Sequence, residues 1–259
     1  MHNASTPIRK FLILSLAVNL IFFFLFGYIV YKKGGVGYLV KRTKSILQSD
    51  KNAAVSSDSG KPKLSYKAHY FYRKSIYESL EDEKNEIIFL GDSITDNGEW
   101  SELFKDLKIK NRGIQGDRTD GVLKRLPEVL SSSPKKIFIL VGYNDLSRGV
   151  KIDAIVANYE KILQTIKTRS PGTQVYIQSV LPLNYNFYKG RVKNRDVIDL
   201  NRQLKQLSRE FKANYLDLYS NFSDADQQLH PDFAGKDGLH LNGRAYLKWK
   251  SILENYVYN

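Results

Sequence analysis

The sequence predicts an α/β protein in which a five-stranded parallel sheet lies between two layers of helices. Along residues 64–259, short apolar segments of strand length alternate with longer segments whose apolar residues recur every three or four positions. This alternation is typical of parallel strands joined by crossover helices. The 259 residues, 42% hydrophobic and 26% charged, can bury one core and leave room for accessory segments. We therefore expect a single three-layer α/β/α domain.

Five segments have the length and composition of strands, namely 86–90, 107–111, 136–141, 174–179 and 215–218. Four longer segments carry the helical period, namely 120–130, 152–168, 196–212 and 243–256. In parallel sheets of this kind, ligands bind beyond the carboxyl ends of the strands. The residues that follow the strands are therefore the first candidates for a functional site.

The segment that opens the domain, residues 64–80, interleaves Lys and Arg with Tyr, His and Phe. Such a mixture is compatible with a surface on which nucleic-acid bases stack. We favour a helix that packs an apolar face inward, formed by Leu64, Ala68, Phe71, Ile76 and Leu80.

Residues 1–63 contain ten Lys and Arg against two Asp and Glu, whereas residues 64–259 contain 30 against 25. Most of the basic excess thus lies outside the domain, and no nucleic-acid partner is predicted.

Residues 11–31 predict a transmembrane helix. These 21 residues carry no charge, and a helix of that length spans a hydrocarbon core of about 30 Å. Residues 27–31 contain no small-residue cleavage site, which favours an uncleaved signal-anchor over a signal peptide. Residues 1–10 then form an N-terminal tail, and residues 32–63 form a basic juxtamembrane segment and flexible linker, rich in Ser, Ala and Lys from residue 48.

The flanking charges leave two orientations open. Five Lys and Arg between residues 32 and 44 outnumber the two before the span, which favours a cytoplasmic domain under the positive-inside rule. Many single-span tethers nevertheless export the domain that they carry, and we expect an extracytoplasmic domain. The chain has no cysteine, which excludes disulfides, a thiolate nucleophile and Cys-ligated metal and is compatible with either compartment.

The run Gly91-Asp92-Ser93-Ile94-Thr95 follows the first predicted strand. A serine at a strand-to-helix turn can expose its hydroxyl above the sheet while its own N–H points into the same space, as a nucleophile requires. The run differs from the G-x-S-x-G elbow because Thr95 replaces the second glycine. The alternative is that Asp92, Ser93 or Thr95 only caps a helix.

Two further turns follow the next strands. Gly116, in the run Gly113-Ile114-Gln115-Gly116-Asp117, belongs to a turn whose N–H groups can bind an anion, and the alternative is a plain connection with Asp117 as a cap. Asn144, in the run Gly142-Tyr143-Asn144-Asp145, can donate its side-chain amide to a developing oxyanion, or serve only as a turn former.

The run Asp237-Gly238-Leu239-His240 precedes the last predicted helix. This spacing lets the carboxylate of Asp237 hold the imidazole of His240 in one tautomer. His2, His69 and His230 have no carboxylate at a useful spacing, so His240 is the preferred general base.

These four runs, in this order, resemble the blocks of the SGNH hydrolase superfamily, also called GDSL esterases and lipases. In this resemblance the four name-giving residues are matched by Ser93 of GDSIT, Gly116 of GIQGD, Asn144 of GYND and His240 of DGLH. Asp237 matches the third triad member. The resemblance covers about residues 86–250. Two mild departures are Ile94, where the block often has Leu, and Leu241, where proline commonly follows the histidine.

The resemblance implies a flavodoxin-like α/β/α sandwich and ester hydrolysis without metal or other cofactor. It also implies a Ser93-His240-Asp237 triad and an oxyanion hole formed by the N–H groups of Ser93 and Gly116 and the amide of Asn144. The runs GDSITDNGEW and DGLHLNGRAY are most similar to acylhydrolases grouped with platelet-activating-factor acetylhydrolase-like and sialate O-acetylesterase-like enzymes, which hints at short acyl groups.

We therefore expect a membrane-anchored serine esterase whose substrate is a small-molecule, glycan or lipid ester. Three alternatives remain open: an O-acyltransferase acting on cell-envelope glycans, a lysophospholipase or lipase for longer acyl chains, and an inactive binding module. The aromatic run 184–188 could line an acyl groove for the lipase. The sequence identifies neither the acyl group and its alcohol nor the oligomeric state.

Overall fold

The computed structural model describes residues 66–259, with side chains from Ala68 onward, and in the N-terminal region only positions 15, 19, 28, 31 and 32. The chain divides into two compact units, Met1–Lys63 and Leu64–Asn259. The predicted transmembrane segment 11–31, apart from the few positions named, and the predicted linker lie outside the described residues. Among the helices that the structure does describe, none is both long enough and apolar enough to cross a membrane.

The sheet has five parallel strands in the order β2-β1-β3-β4-β5. The strands are β1 Ile87–Gly91, β2 Ile109–Gly113, β3 Lys136–Leu140, β4 Gln174–Gln178 and β5 Asn214–Leu216. The prediction of a five-stranded parallel sheet is confirmed, with strand ends shifted by no more than about two residues.

The helices of the described domain are of two kinds. The long ones are α1 Tyr66–Ser79, α4 Thr119–Val129, α6 Ile152–Arg169, α7 Asn194–Glu210 and α9 Gly243–Tyr258. The short ones are α2 Ser93–Asp96, α3 Trp100–Phe104, α5 Tyr143–Ser147 and α8 Leu218–Phe222. The long helices correspond to predicted segments. The short ones have too few residues for a 3.6-residue period to be recognised.

Alternating strand residues divide the core into two layers, as the two-residue period of a strand requires. Ile88 and Leu90 of β1 point to one layer, which also contains the apolar faces of α4, α6 and α7. Ile87 and Phe89 point to the opposite layer, where they meet α3 and α9. Every residue of β1 and β3 is buried, so these strands form the centre of the three-layer sandwich.

Helix α1 lies on the domain in a different rotation from the one that the sequence predicts. Phe71, Ile76 and Leu80, which were expected to pack inward, are 66%, 48% and 51% exposed. The inward side instead carries Tyr70 and Tyr77, whose hydroxyls donate to Gly121 O at 3.0 Å and to Gly113 O at 2.6 Å. The prediction was wrong because α1 packs against the polar ends of other elements, where amphipathic tyrosines are better suited than aliphatic side chains.

The strand register brings the ends of three strands level. Gly91 at the end of β1 pairs with Gly113 of β2 on one side and with Leu140 of β3 on the other. The segments that follow β1, β2 and β3 therefore leave the sheet side by side at one edge. These are the segments that contain Ser93, Gly116 and Asn144.

Candidate active site

Ser93 is the first residue of α2 and is held just beyond the end of β1. The carboxylate of Asp92 caps the helix by accepting from Ile94 N at 3.0 Å. The far end of α2 is fixed because Trp100 Nε1 and Asn111 Nδ2 donate to Thr95 O at 2.9 and 3.1 Å. Asp92 therefore does what the capping hypothesis requires, and the hydroxyl of Ser93 remains available for another partner.

That partner is His240. His240 Nε2 lies 3.0 Å from Ser93 Oγ, although 147 positions separate the two residues in the chain. His240 Nδ1 lies 2.5 Å from Asp237 Oδ2, and Asp237 Oδ1 accepts from the backbone N–H of His240 at 2.9 Å. The structure thus brings together the three residues that the sequence marks as nucleophile, base and orienting carboxylate.

The hydrogen bonds that Asp237 accepts control its charge. Burial alone would raise the pKa of Asp237, but the hydrogen bonds from the His240 ring and from the N–H groups of His240 and Leu239 outweigh it. The pKa of Asp237 therefore lies below its ordinary value, and the carboxylate is ionised at neutral pH. An ionised Asp237 makes Nδ1 the protonated ring nitrogen and leaves Nε2 free to accept a proton from Ser93.

The loop of Asp237 and His240 is docked against the aromatic run 184–188. Gly238 has φ of 69°, and its carbonyl accepts from Asn184 N at 2.9 Å. A Cβ at position 238 would come within 2.4 Å of Asn184 O and 2.5 Å of Tyr188 N. Both the backbone conformation and the close approach require glycine here. The short Asp-Gly-Leu-His spacing is thus compatible with tight packing of the loop.

Gly116 and Asn144 lie next to each other. Asp117 N donates to Ile114 O at 3.0 Å across a turn in which Gly116 has φ of 73°, as a glycine in a type II turn does. Asn144 Nδ2 donates to Asp117 O at 3.0 Å and contacts Asp92 Oδ2 at 3.3 Å. Because both neighbours are acceptors, the amide turns its NH₂ group rather than its oxygen toward this turn.

A buried carboxyl group, Asp92, stands behind these donors. Burial raises the pKa of Asp92 to about 7, and the nearby carboxylates of Asp117 and Asp145 act in the same direction. The hydrogen bonds from Ile94 N and Asn144 oppose this shift without cancelling it. In the sequence Asp92 is recognisable only as a cap, whereas in the structure its carboxylate also contacts the side chain of Asn144.

Two further buried carboxylates hold the loops that carry Gly116 and Asn144. Asp117 accepts from Arg125 Nε at 2.9 Å, with both side chains fully buried, and Arg125 Nη2 also donates to Gly91 O at 3.0 Å. Asp145 accepts from Thr119 N at 3.0 Å and from Thr119 Oγ1 at 2.7 Å. The sequence could have indicated these roles only through the acidic residue that follows each predicted oxyanion donor.

The other histidines lie elsewhere. His69 of α1 is 3.7 Å from Asp96 Oδ2, and His230 Nδ1 accepts from Asp232 N at 3.2 Å. His2 lies outside the described residues. Within residues 66–259, no group of three or more His, Asp or Glu side chains is arranged to hold a metal ion.

Comparisons with known proteins identify the family of the chain. The model of the GDSL-like lipase/acylhydrolase family matches residues 89–248, more than half of the chain. Human platelet-activating factor acetylhydrolase IB subunit alpha1 is 32% identical over 173 residues, which cover 64% of this chain and 72% of the relative.

Solved structures give the same result for the fold. A Streptococcus pneumonia protein provisionally assigned as a platelet activating factor is 27% identical, with a TM-score of 0.69, covering 73% of this chain and 93% of that one. A GDSL-like lipase from Bacteroides thetaiotaomicron has a TM-score of 0.63 at 20% identity, covering 73% of this chain and 96% of its own, and supports the fold alone. The chain therefore belongs to the GDSL-like lipase/acylhydrolase family, the SGNH hydrolases, and is an ester-hydrolysing enzyme.

Proposed function

We propose that the protein is a serine acylhydrolase for short-chain carboxylic esters, attached to a membrane by residues 11–31. The observation that carries the proposal is the continuous contact from Ser93 Oγ to His240 Nε2 at 3.0 Å and from His240 Nδ1 to Asp237 Oδ2 at 2.5 Å. A hydroxyl, an imidazole and a carboxylate in this order form a relay that activates a nucleophile.

The reaction begins when His240 Nε2 takes the proton of Ser93 as Oγ forms a bond to the ester carbonyl carbon. The carbonyl π electrons move onto its oxygen to give a tetrahedral oxyanion. Collapse of this oxyanion breaks the bond to the alcohol oxygen, which leaves with the proton from His240. Water then attacks the acyl-enzyme by the same steps, so that the free acid departs and Ser93 is restored.

The donors that we assign to the oxyanion are the N–H groups of Ser93 and Gly116 and the Asn144 amide. Ser93 N belongs to the first turn of α2, where backbone N–H groups have no intrahelical acceptor. Asn144 Nδ2 donates to Asp117 O at 3.0 Å and to Asp92 Oδ2 at 3.3 Å, so donation to the oxyanion requires the N–H in the longer contact to leave Asp92. Each such donor typically lowers the barrier by about 3 kcal/mol.

Support for a short acyl group comes from the human relative, which is named an acetylhydrolase. A second candidate, a lysophospholipase or lipase for longer chains, is favoured by the aromatic run near the catalytic loop. There, Tyr185 and Phe187 are 37% and 48% exposed and could contact an acyl chain. Membrane attachment would suit either substrate, and we propose an extracytoplasmic domain.

The full-length protein tests this proposal with p-nitrophenyl esters of two, four, eight and twelve carbons. We expect kcat/KM to be highest for acetate and butyrate. A maximum at eight carbons or more would replace the short-chain proposal with the lipase.

A fluorophosphonate probe should label the protein at Ser93, and Ser93→Ala should abolish both labelling and hydrolysis. Ser251→Ala is a matched control because Ser251 is an exposed residue of α9 whose hydroxyl bonds only within its own helix, to Lys248 O. Labelling of the Ser93→Ala variant would contradict the assignment of the nucleophile.

A further inference from the structure

Helix α1 carries an apolar stripe on its outward side. Tyr72 and Ile76, about one turn apart on α1, and Leu80, just after its last residue, are 60%, 48% and 51% exposed, and Phe71 is 66% exposed. Four large exposed apolar side chains within residues 71–80 are unlike the scattered apolar residues found on ordinary protein surfaces.

The rotation of α1 is fixed by polar contacts on its other side. Arg73 Nη2 donates to Asp96 Oδ1 at 2.9 Å, and the hydroxyls of Tyr70 and Tyr77 donate to backbone carbonyls of the domain. Tyr77 is only 4% exposed. The apolar stripe is thus held outward by contacts to the domain and does not result from a loosely placed helix.

Basic residues border the stripe. A cavity of about 460 Å³ opens between α1 and the start of α4, and its lining includes Phe71, Lys74, Arg118 and Lys124. The carboxylate of Asp120 is shared between Arg118 and Lys124, at 3.0 and 3.3 Å, and Glu78 forms an ion pair with Lys74, so the group keeps a single positive charge. Aromatic and aliphatic side chains next to Lys and Arg are typical of a surface that lies in the headgroup region of a bilayer.

A second copy of the chain fits this face less well than lipid does. A two-fold dimer would bring two copies of the same positively charged surface together, because such an interface pairs each patch with itself. A stable dimer also buries about 800 Å² on each partner. Four side chains from residues 71–80 form only a small part of such an area.

The sequence before α1 keeps the face near a membrane if residues 11–31 span one. Only residues 32–65 separate that segment from α1 in the sequence. Attachment through a short connection raises the effective concentration of a surface at the membrane, so even weak binding to lipid is favoured.

We propose that the outward face of α1 lies on an anionic lipid bilayer and holds the catalytic edge of the sheet near it. The inference rests on the membrane attachment of the proposed function. The proximity follows because Arg73 is bonded to Asp96, one helical turn after Ser93, and Tyr70 is bonded to Gly121, just after the turn that contains Gly116. Ester substrates carried by the bilayer would then be close to the nucleophile.

The chain contains no cysteine, so a single nitroxide spin label can be placed at will. Tyr72→Cys places the label on the stripe. Leu107→Cys is the matched control, because Leu107 is 82% exposed and precedes β2 at the opposite edge of the sheet. Both labelled full-length chains are reconstituted into phosphatidylcholine vesicles with 30% phosphatidylglycerol, and collisions with oxygen and with a water-soluble nickel chelate are measured.

We expect the label at position 72 to collide several-fold less with the nickel chelate, and more with oxygen, than the label at position 107. If the two labels are equally accessible in vesicles that carry the protein, the docking of α1 is overturned and the membrane attachment stands. Failure of both chains to float with the vesicles would overturn the attachment and, with it, the docking. Dipolar broadening at position 72 that vanishes on dilution with unlabelled chain would assign the face to a second copy and also overturn the proposal.

Discussion

The two sides of the catalytic site are supported in different ways. On the oxyanion side, Asp92, Asp117 and Asp145 are almost completely buried beneath the loops that carry the donors. On the base side, the side chains of Asp237 and His240 are 54% and 34% exposed, and the carboxylate of Asp237 accepts its hydrogen bonds from residues 239 and 240. The first side is buried in the domain, whereas the second is a partly exposed loop docked on the domain surface.

Because of this difference, we expect substitutions on the two sides to affect stability and activity differently. Buried carboxylates are costly to leave unpaired, so changes on the oxyanion side should affect folding as well as catalysis. Exposed groups contribute little to folding, so changes on the base side should affect catalysis alone. Kinetics and unfolding measurements on single variants test this contrast.

The largest effect is expected for His240→Ala, which removes the general base. We expect kcat to fall roughly 10⁴- to 10⁶-fold with a small change in KM, because the residues of a triad act as a unit. For the same reason the double variant with Ser93→Ala should be no slower than either single one. His230→Ala, on a separate and partly exposed histidine, should keep normal turnover of p-nitrophenyl acetate. Similar losses in both histidine variants would remove the base assignment.

Asp237→Asn should lower kcat roughly 10³- to 10⁴-fold, because an amide can hold the imidazole in the wrong tautomer. The free energy of unfolding should change by only about 0.5 kcal/mol, since more than half of the side chain is exposed. Steady-state kinetics and urea unfolding on the same sample measure both quantities. A large loss of stability would show that the base side also supports the fold.

Arg125→Met should destabilise the protein by about 3 to 5 kcal/mol, because it leaves the carboxylate of Asp117 buried without its ion-pair partner. Urea unfolding gives the value. Arg202→Met is the matched control, because Arg202 forms an exposed ion pair with Asp199, and this change should have almost no effect on stability. Equal stability of the two variants would contradict the contrast between the sides.

Asn144→Ala should lower kcat by about a hundredfold or more and leave KM nearly unchanged, as expected for a donor that acts on the oxyanion. Chain-length profiles should keep their shape, because the amide is not assigned to acyl recognition. A normal kcat in this variant would exclude Asn144 from the oxyanion hole.

The smallest effect is expected for Asp92→Asn and concerns the pH dependence of the free energy of unfolding. The pKa of Asp92 is raised from 3.8 to about 7, so the folded state binds this proton more tightly than the unfolded state. Its contribution to stability is complete below about pH 4 and is lost as the pH rises to about 7. The variant should therefore lose less stability than the parent protein between pH 4.5 and 7.5.

Urea unfolding across this pH range measures the effect of Asp92. Asp226→Asn serves as the exposed control and should leave the pH dependence of the parent protein unchanged. If Asp92→Asn has the same pH dependence as the parent, the carboxyl of Asp92 is not the group that titrates.

Periodicity in the sequence was sufficient to predict the parallel sheet and the long helices. The strands β1 and β3 are continuous apolar runs because both of their faces are buried, and this pattern is visible without coordinates. The rotation of α1 was not predictable in the same way. Its orientation depends on where the hydroxyls of Tyr70 and Tyr77 find carbonyl partners on other elements, and hydropathy alone does not encode such partners.

By itself, the sequence determined the fold class, the family and the candidate residues Ser93, Gly116, Asn144, Asp237 and His240, because these depend on local spacing and strand order. The contact between Ser93 and His240, the contact between Asp92 and Asn144 and the outward apolar face of α1 became visible in the folded domain alone. The reason is physical. Contacts between residues that are 52 or 147 positions apart arise from packing of the whole domain, which no local pattern records.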